Sequence, residues 1–349
     1  MNKFVIIIMV ILMIAACKKS DMSDGDNFFY LKTEGAYMPV FVEGNKTSNT
    51  FIIILHGGPG GDDQVYKDVC LPFSETLEEK YAVVYYDQRG SGISQGKYDD
   101  EMVTVAQHVK DLEVLIKLLK YKYGNDNNFF LLGHSWGGTL GTAFLLKENN
   151  QNLISGWIEV DGAHNFSDFK IVNQALITIA EDQIANENSL DGWQEILDFC
   201  SEVDTNNISD GDKSQLNAFG FKAEEYLSTD EIITSDYGVT LGELMNHNYF
   251  SSFNPLMAKL NLSMTNSTMF DEVSKIDYTP ELYKIQTPTL ILWGRHDYVL
   301  PLKLGLDAYE NIGSENKKMT IFDNSGHSVM LNETDKFLEE VISFVDTYK

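Results

Sequence analysis

The feature that most constrains this chain is Gly133-His134-Ser135-Trp136-Gly137-Gly138. It lies between the apolar run Phe129-Phe130-Leu131-Leu132 and the helix-like stretch Thr139 to Leu146. A G-x-S-x-G turn from strand to helix is so tight that the serine is held in a strained conformation, and its neighbours two residues away must lack side chains. The strain lifts the hydroxyl above the sheet edge, and the amides of the following helix point at the same spot. Such a turn needs a strand before it and a helix behind it, which commits the chain to layered α/β architecture. Glycine and serine recur often by chance, so a plain turn with an idle serine is the competing reading of the pentapeptide alone. The order of the remaining motifs separates the two.

Phe28 to Glu43 alternates around Gly35-Ala36, as a hairpin does. Phe51 to Leu55 and Tyr81 to Tyr86 are continuous apolar runs, expected of strands covered on both faces. The first leads into His56-Gly57-Gly58-Pro59-Gly60-Gly61, whose glycines leave the backbone free to turn amides toward an oxyanion. The second leads into Asp87-Gln88-Arg89-Gly90-Ser91-Gly92, where Asp87 and Arg89 are expected to brace adjoining loops. Thr104 to Tyr123 reads as a helix, with a capping box at Thr104-Val105-Ala106-Gln107, Gly124 as C-terminal cap, and an apolar face of Val105, Val109, Leu112, Ile116 and Leu119. Ile154 to Val160 is another strand. Alternation of strand and helix implies a mostly parallel sheet with helices on both faces. From His164 to Tyr283 the pattern changes to amphipathic stretches separated by Asn, Asp and Ser, which predicts a helical cap inserted after the sixth strand. Strands resume at Thr287 to Trp293 and Met319 to Phe322, and a helix from Thr334 to Val345 closes the chain. The expected division is a core of 28–163 and 284–349 with a cap of 164–283.

Serine is a weak nucleophile at neutral pH and needs an adjacent base. A base that also returns its proton to the leaving group should titrate near neutrality, which selects histidine, and the histidine needs a carboxylate to fix its tautomer. Asp297 follows one predicted strand and His327 the next, giving the order Ser135, Asp297, His327 at one edge of a parallel sheet. Asp323 and Asp161 compete for the acid role. Among the other histidines, His134 is expected to point away from the turn, His56 to brace the glycine loop and His296 to sit in a loop. His108 falls on a helix, His164 at the cap entrance and His247 within the cap. The backbone amides of Trp136 and Gly58 are the expected oxyanion donors, and the Trp136 indole either lines the pocket or is buried. No metal-ligand spacing or phosphate-binding loop competes, so no metal or cofactor is expected.

A net charge of −26 argues against nucleic acid as a partner, since nothing would displace phosphate counterions. It mildly favours cationic over anionic substrates. Residues 1–17 have a positive start at Lys3 and an apolar run from Phe4 to Ala16, too short to span a bilayer. The run ends in Ile14-Ala15-Ala16-Cys17, which resembles the lipobox of bacterial lipoproteins; that resemblance implies a lipidated Cys17, a tether over 18–27 and a membrane-anchored protein of the cell envelope. With Lys18 rather than Asp after the cysteine, it points to the outer membrane in a Gram-negative source. Cys70 and Cys200 remain, and their spacing decides neither pairing nor its absence.

Taken together, His56 to Gly60, Asp87 to Gly92, Gly133 to Gly138, Gly294-Arg295-His296-Asp297 and Ser325-Gly326-His327 resemble the α/β-hydrolase superfamily, and within it the proline iminopeptidase family. The resemblance covers the core. It implies the α/β-hydrolase fold, a triad of Ser135, Asp297 and His327, an oxyanion hole at Gly58 and Trp136, and cofactor-free removal of N-terminal residues, notably proline, from small peptides. A carboxylic ester or other acyl compound is the alternative substrate, and a non-catalytic binding protein on the same scaffold is the alternative of another class. The family holds the substrate's amine with cap glutamates, one in a run like Glu-Asn-His-Tyr-Phe. Here the run is Asn246-His247-Asn248-Tyr249-Phe250, with Asn246 in place of the acid and Glu243 one helical turn earlier.

Overall fold

A computed structural model of the chain describes residues 27–237 and 255–349, apart from positions 64, 70 and 189. Cys17, Cys70, Glu243, Asn246 and His247 therefore lie outside the described residues.

The apolar runs form the centre of a sheet. β1 (Phe28–Thr33) and β2 (Ala36–Gly44) make an antiparallel hairpin in which Thr33 pairs with Ala36. β3 (Thr50–Leu55) and β4 (Ala82–Tyr86) follow, with every residue of both buried, as expected of strands covered on two faces. A two-residue β5 (Gln95–Gly96) pairs with β2 off the main path, and β6 (Asn128–His134), β7 (Gly156–Val160), β8 (Thr289–Gly294) and β9 (Lys317–Phe322) complete the sheet. The order is β1-β2-β4-β3-β6-β7-β8-β9, antiparallel at β1-β2 and β2-β4 and parallel from β4 onward.

Helices cover both faces. One face carries α2 (Val105–Tyr123), α3 (Trp136–Leu146) and α8 (Leu302–Asn311); the other carries α1 (Leu71–Lys80) and α10 (Thr334–Tyr348), which follows the single turn α9 (Val329–Asn332). α2 buries the expected face and starts at Thr104, whose side chain accepts from the Gln107 amide. The expected capping box is only half made. The Gln107 side chain turns away to donate to Asp111 at 2.9 Å, because a buried carboxylate there needs donors. The sequence pattern predicts neither α1 nor α8.

The layer inserted between β7 and β8, after the sixth strand of the main path, contains α4 (Phe169–Ala185), α5 (Leu190–Glu202), α6 (Asp210–Thr229) and α7 (Pro255–Val273). Its first three helices have their own core, with Leu176, Trp193, Ile196, Leu216 and Phe219 packed together. Cys200 is a free thiol in that core, pushed up to about 12 by burial. α7 is tied to the main body: Asn261 donates to the carbonyls of Gly92 and Ser94, Thr265 to that of Gly90, and Glu272 accepts from the Val105 amide.

Candidate active site

β3, β6 and β7 end level with one another: Leu55 pairs with Gly133, and His134 with Val160. This carboxyl edge is where parallel strands release their loops and where ligands bind in such sheets. Ser135 stands there at φ 56°, ψ −119°, between β6 and α3. The turn closes because Gly133 and Gly137 touch. A Cβ on Gly133 would overlap the Gly137 carbonyl, and one on Gly137 would overlap the Leu55 carbonyl.

Ser135 Oγ lies 2.9 Å from His327 Nε2, and His327 Nδ1 lies 2.8 Å from Asp297 Oδ2. The other Asp297 oxygen accepts from the amides of Val299 (2.9 Å) and Leu300 (2.6 Å). Asp297 accepts from Nδ1–H, so Nε2 is left to accept from the serine hydroxyl. Both His327 and Asp297 are buried. Burial lowers the imidazole below its ordinary value, against the pull of the Asp161 and Glu224 carboxylates. It pushes the Asp297 carboxyl up, with the two backbone amides opposing.

The competing acids separate by environment. Asp323 is exposed and paired with Arg295. Asp161 is buried, and accepts from the Gly294 amide (2.8 Å) and the Val329 amide (3.4 Å), so it joins the ends of β7 and β8 to the segment after His327. His134 is not idle. Its Nε2–H donates to the His327 carbonyl (2.7 Å), and Tyr66 Oη–H donates to its Nδ1 (2.7 Å) while accepting from the Gly57 amide (3.1 Å). Burial lowers His134 to about 3 and His56 to about 4, so both rings are neutral connectors. His56 donates to the Gly57 carbonyl and accepts from the Gln88 amide. His108 contacts the Thr104 and Arg89 carbonyls, His164 lies beside Glu159, and His296 is half-buried.

The glycine loop faces the serine: a Cβ on Gly57 would sit 3.4 Å from Ser135 Cβ. Gly58 takes φ +135°, a region that disfavours any side chain, ahead of a cis Gly58–Pro59 bond. Trp136 is the first residue of α3, where amides have no intrahelical acceptor. Its indole is buried and donates to Gln88 Oε1 at 2.8 Å, which settles the choice left open by sequence against a pocket wall.

Asp87 and Arg89 brace loops as expected, but not as a pair. Arg89 makes a buried two-pronged ion pair with Asp111 of α2 and caps the carbonyls of Thr33 and Glu34. Asp87 accepts from the Asp63 and Ile93 amides, and burial beside Asp62 raises its carboxyl. Sequence reading also missed Tyr66, Glu224 and the bracing role of Asp161. A buried tyrosine, glutamate or aspartate has no local pattern, so only contacts across the fold reveal it. Among the described residues, no group of three His, Cys, Asp or Glu side chains is arranged to hold a metal ion, and no helix is long and apolar enough to cross a membrane.

A strained serine at the sheet edge, with an imidazole and a carboxylate in line behind it, defines a protein class. Residues 50–334 match the family model described as alpha/beta hydrolase fold, and the chain belongs to that family of enzymes. Within it, the chain resembles the proline iminopeptidases. It is 30% identical over 305 residues to a protein named proline iminopeptidase from Saccharolobus solfataricus, covering 86% of each chain. Solved structures of the same fold include a proline iminopeptidase from Mycobacterium smegmatis (TM-score 0.65, 17% identity, 92% of this chain and 98% of that one). Another is an esterase from Exiguobacterium antarcticum (TM-score 0.58, 21% identity, 92% and 99%).

Proposed function

We propose that this chain is a serine hydrolase that works through an acyl-enzyme and removes N-terminal residues from small peptides in the manner of a proline iminopeptidase. The observation that carries the reading is the unbroken line from Ser135 Oγ through His327 to Asp297, at 2.9 and 2.8 Å. Ser135 Oγ attacks the acyl carbon while His327 Nε2 takes the hydroxyl proton, and Asp297 stabilises the imidazolium that forms. The carbonyl oxygen, now negative, is received by the amides of Gly58 and Trp136. His327 then gives its proton to the leaving amine, the C–N bond breaks, and water repeats the sequence to release the acid. Burial lowers His327 below its ordinary value, which favours the unprotonated ring that the first step requires.

The peptidase reading draws on the 30% identical relative and on the net negative charge, which favours a substrate with a free ammonium. Asn246 supports the alternative, a carboxylic ester, because an amide oxygen holds ammonium less well than a carboxylate. Release of chromophore from prolyl and other aminoacyl amides, compared with acetyl esters, separates the two. Ser135→Ala should abolish both activities and labelling by a fluorophosphonate probe; full labelling of that variant would refute the site.

The lipobox-like sequence ending at Cys17 supports anchorage of the folded part to a bacterial envelope membrane, with 18–27 as tether. Incorporation of labelled fatty acid, lost in Cys17→Ser, is the test. Unchanged incorporation in that variant refutes it.

A further inference from the structure

One helix of the cap touches both loops that carry the base and the acid. α6 turns Gly220, Phe221 and Glu224 toward them. Gly220 lies so close that a Cβ there would stand 2.5 Å from the Tyr298 carbonyl oxygen. One helical turn later, Glu224 is only 5% exposed, and each of its oxygens is used. Oε1 accepts from the amide of Tyr298, the residue after Asp297, at 3.2 Å. Oε2 accepts from the amide of His327 itself at 2.9 Å. Beside it the Phe221 ring stands edge-on to the His327 imidazole, with centroids 6.1 Å apart. Gly326 has no room for a side chain because the Glu224 carboxylate fills that space.

A buried carboxyl group is costly unless it is hydrogen-bonded; burial pushes Glu224 up, and the two amides that donate to it oppose that shift and favour the carboxylate. The other inward positions of α6, Leu216, Phe219, Ala223 and Leu227, are apolar. An apolar residue at 224 would serve cap packing as well as they do, but it could not accept from two loops that follow different strands. We infer that Glu224 is a positioning residue: it joins the Asp297 and His327 loops, so that the imidazole is aligned on Ser135 only while α6 is seated. The inference rests on the triad reading above. Its consequence is that lifting α6 withdraws both acceptors at once, which confines hydrolysis to the closed, substrate-enclosing form.

The test is Glu224→Gln in the full chain. Whichever way the amide turns, its NH₂ meets a backbone N–H, so one of the two bonds is lost while the volume is kept. Turnover of para-nitrophenyl acetate should fall in kcat by roughly ten- to a hundredfold, the scale of a small misplacement of reacting groups. KM should stay unchanged, and fluorophosphonate labelling should slow by the same factor. The exposed neighbour variant Glu225→Gln should match the wild type. A Glu224→Gln protein with wild-type kcat overturns the inference, and so does one whose only change is a raised KM, which would make Glu224 a substrate contact. If that variant does not fold, deuterium uptake by the wild type decides. Peptides carrying the Tyr298 and His327 amides should exchange in step with α6, and markedly slower exchange than α6 overturns the idea. Failure of the triad reading shows separately, as persistent labelling of Ser135→Ala.

Discussion

Replacing Asp297 by asparagine tests the site with an outcome that can be worked from the surrounding bonds. One oxygen of the carboxylate accepts from two backbone amides, Val299 at 2.9 Å and Leu300 at 2.6 Å. In the asparagine variant these two donors select the carbonyl oxygen for that side, which turns the NH₂ toward His327 Nδ1. An NH₂ can only donate, so Nδ1 becomes an acceptor and the ring proton moves to Nε2. Nε2 then points a proton at Ser135 Oγ, 2.9 Å away, and cannot take one from it. The productive tautomer returns only if the amide flips and gives up both backbone bonds. At about 1–3 kcal/mol for each buried group left unpaired, the flip costs about 2–6 kcal/mol, a factor of about 30 to 10⁴. Hydrolysis of para-nitrophenyl acetate should therefore lose about one and a half to four orders of magnitude in kcat. The melting temperature should move little, because the favoured rotamer keeps every backbone bond. Asp297→Ala, by contrast, leaves the two amides unpaired and should lose stability as well. A folded Asp297→Asn enzyme within tenfold of wild-type turnover would refute the reasoning.

Two further perturbations follow from other parts of the site. Arg89→Leu leaves the buried Asp111 carboxylate without its two-pronged partner, and should destabilise the protein by about 3–5 kcal/mol in denaturant unfolding; a loss under about 1 kcal/mol would show that the pair is not the brace described. Burial lowers His327, and in the proposed mechanism the ring must be neutral to accept the serine proton. Hence kcat/KM should rise with pH through a midpoint below the ordinary histidine value of about 6.5 and be lost on further acidification. A midpoint above about 7 in the pH–rate profile would contradict that order of effects.

What the chain order alone could determine was whatever depends on near neighbours in sequence. Period and continuity of apolar residues set the buried strands at Phe51 to Leu55 and Phe129 to Leu132, because a strand covered on both faces admits no polar position. Gly-x-Ser-x-Gly set the elbow, because only glycine permits the close approach of residues 133 and 137. Ser135, Asp297 and His327 were legible together because a parallel sheet releases successive loops at one edge, so strand ends far apart in sequence meet there. The roles of Tyr66, Asp161 and Glu224 were not legible. Each is a single polar residue whose partner lies in another loop, and its burial is a property of the packed molecule. Only the tertiary structure separates Asp297 from Asp323: the first is buried against the His327 imidazole, and the second is exposed beside Arg295. The same holds for Arg89, which pairs with Asp111 of a packed helix rather than with Asp87 two residues away. Backbone preference is local and can be read along the chain, whereas desolvation, which gives each of these charges its partner and its strength, exists only once the layers have closed.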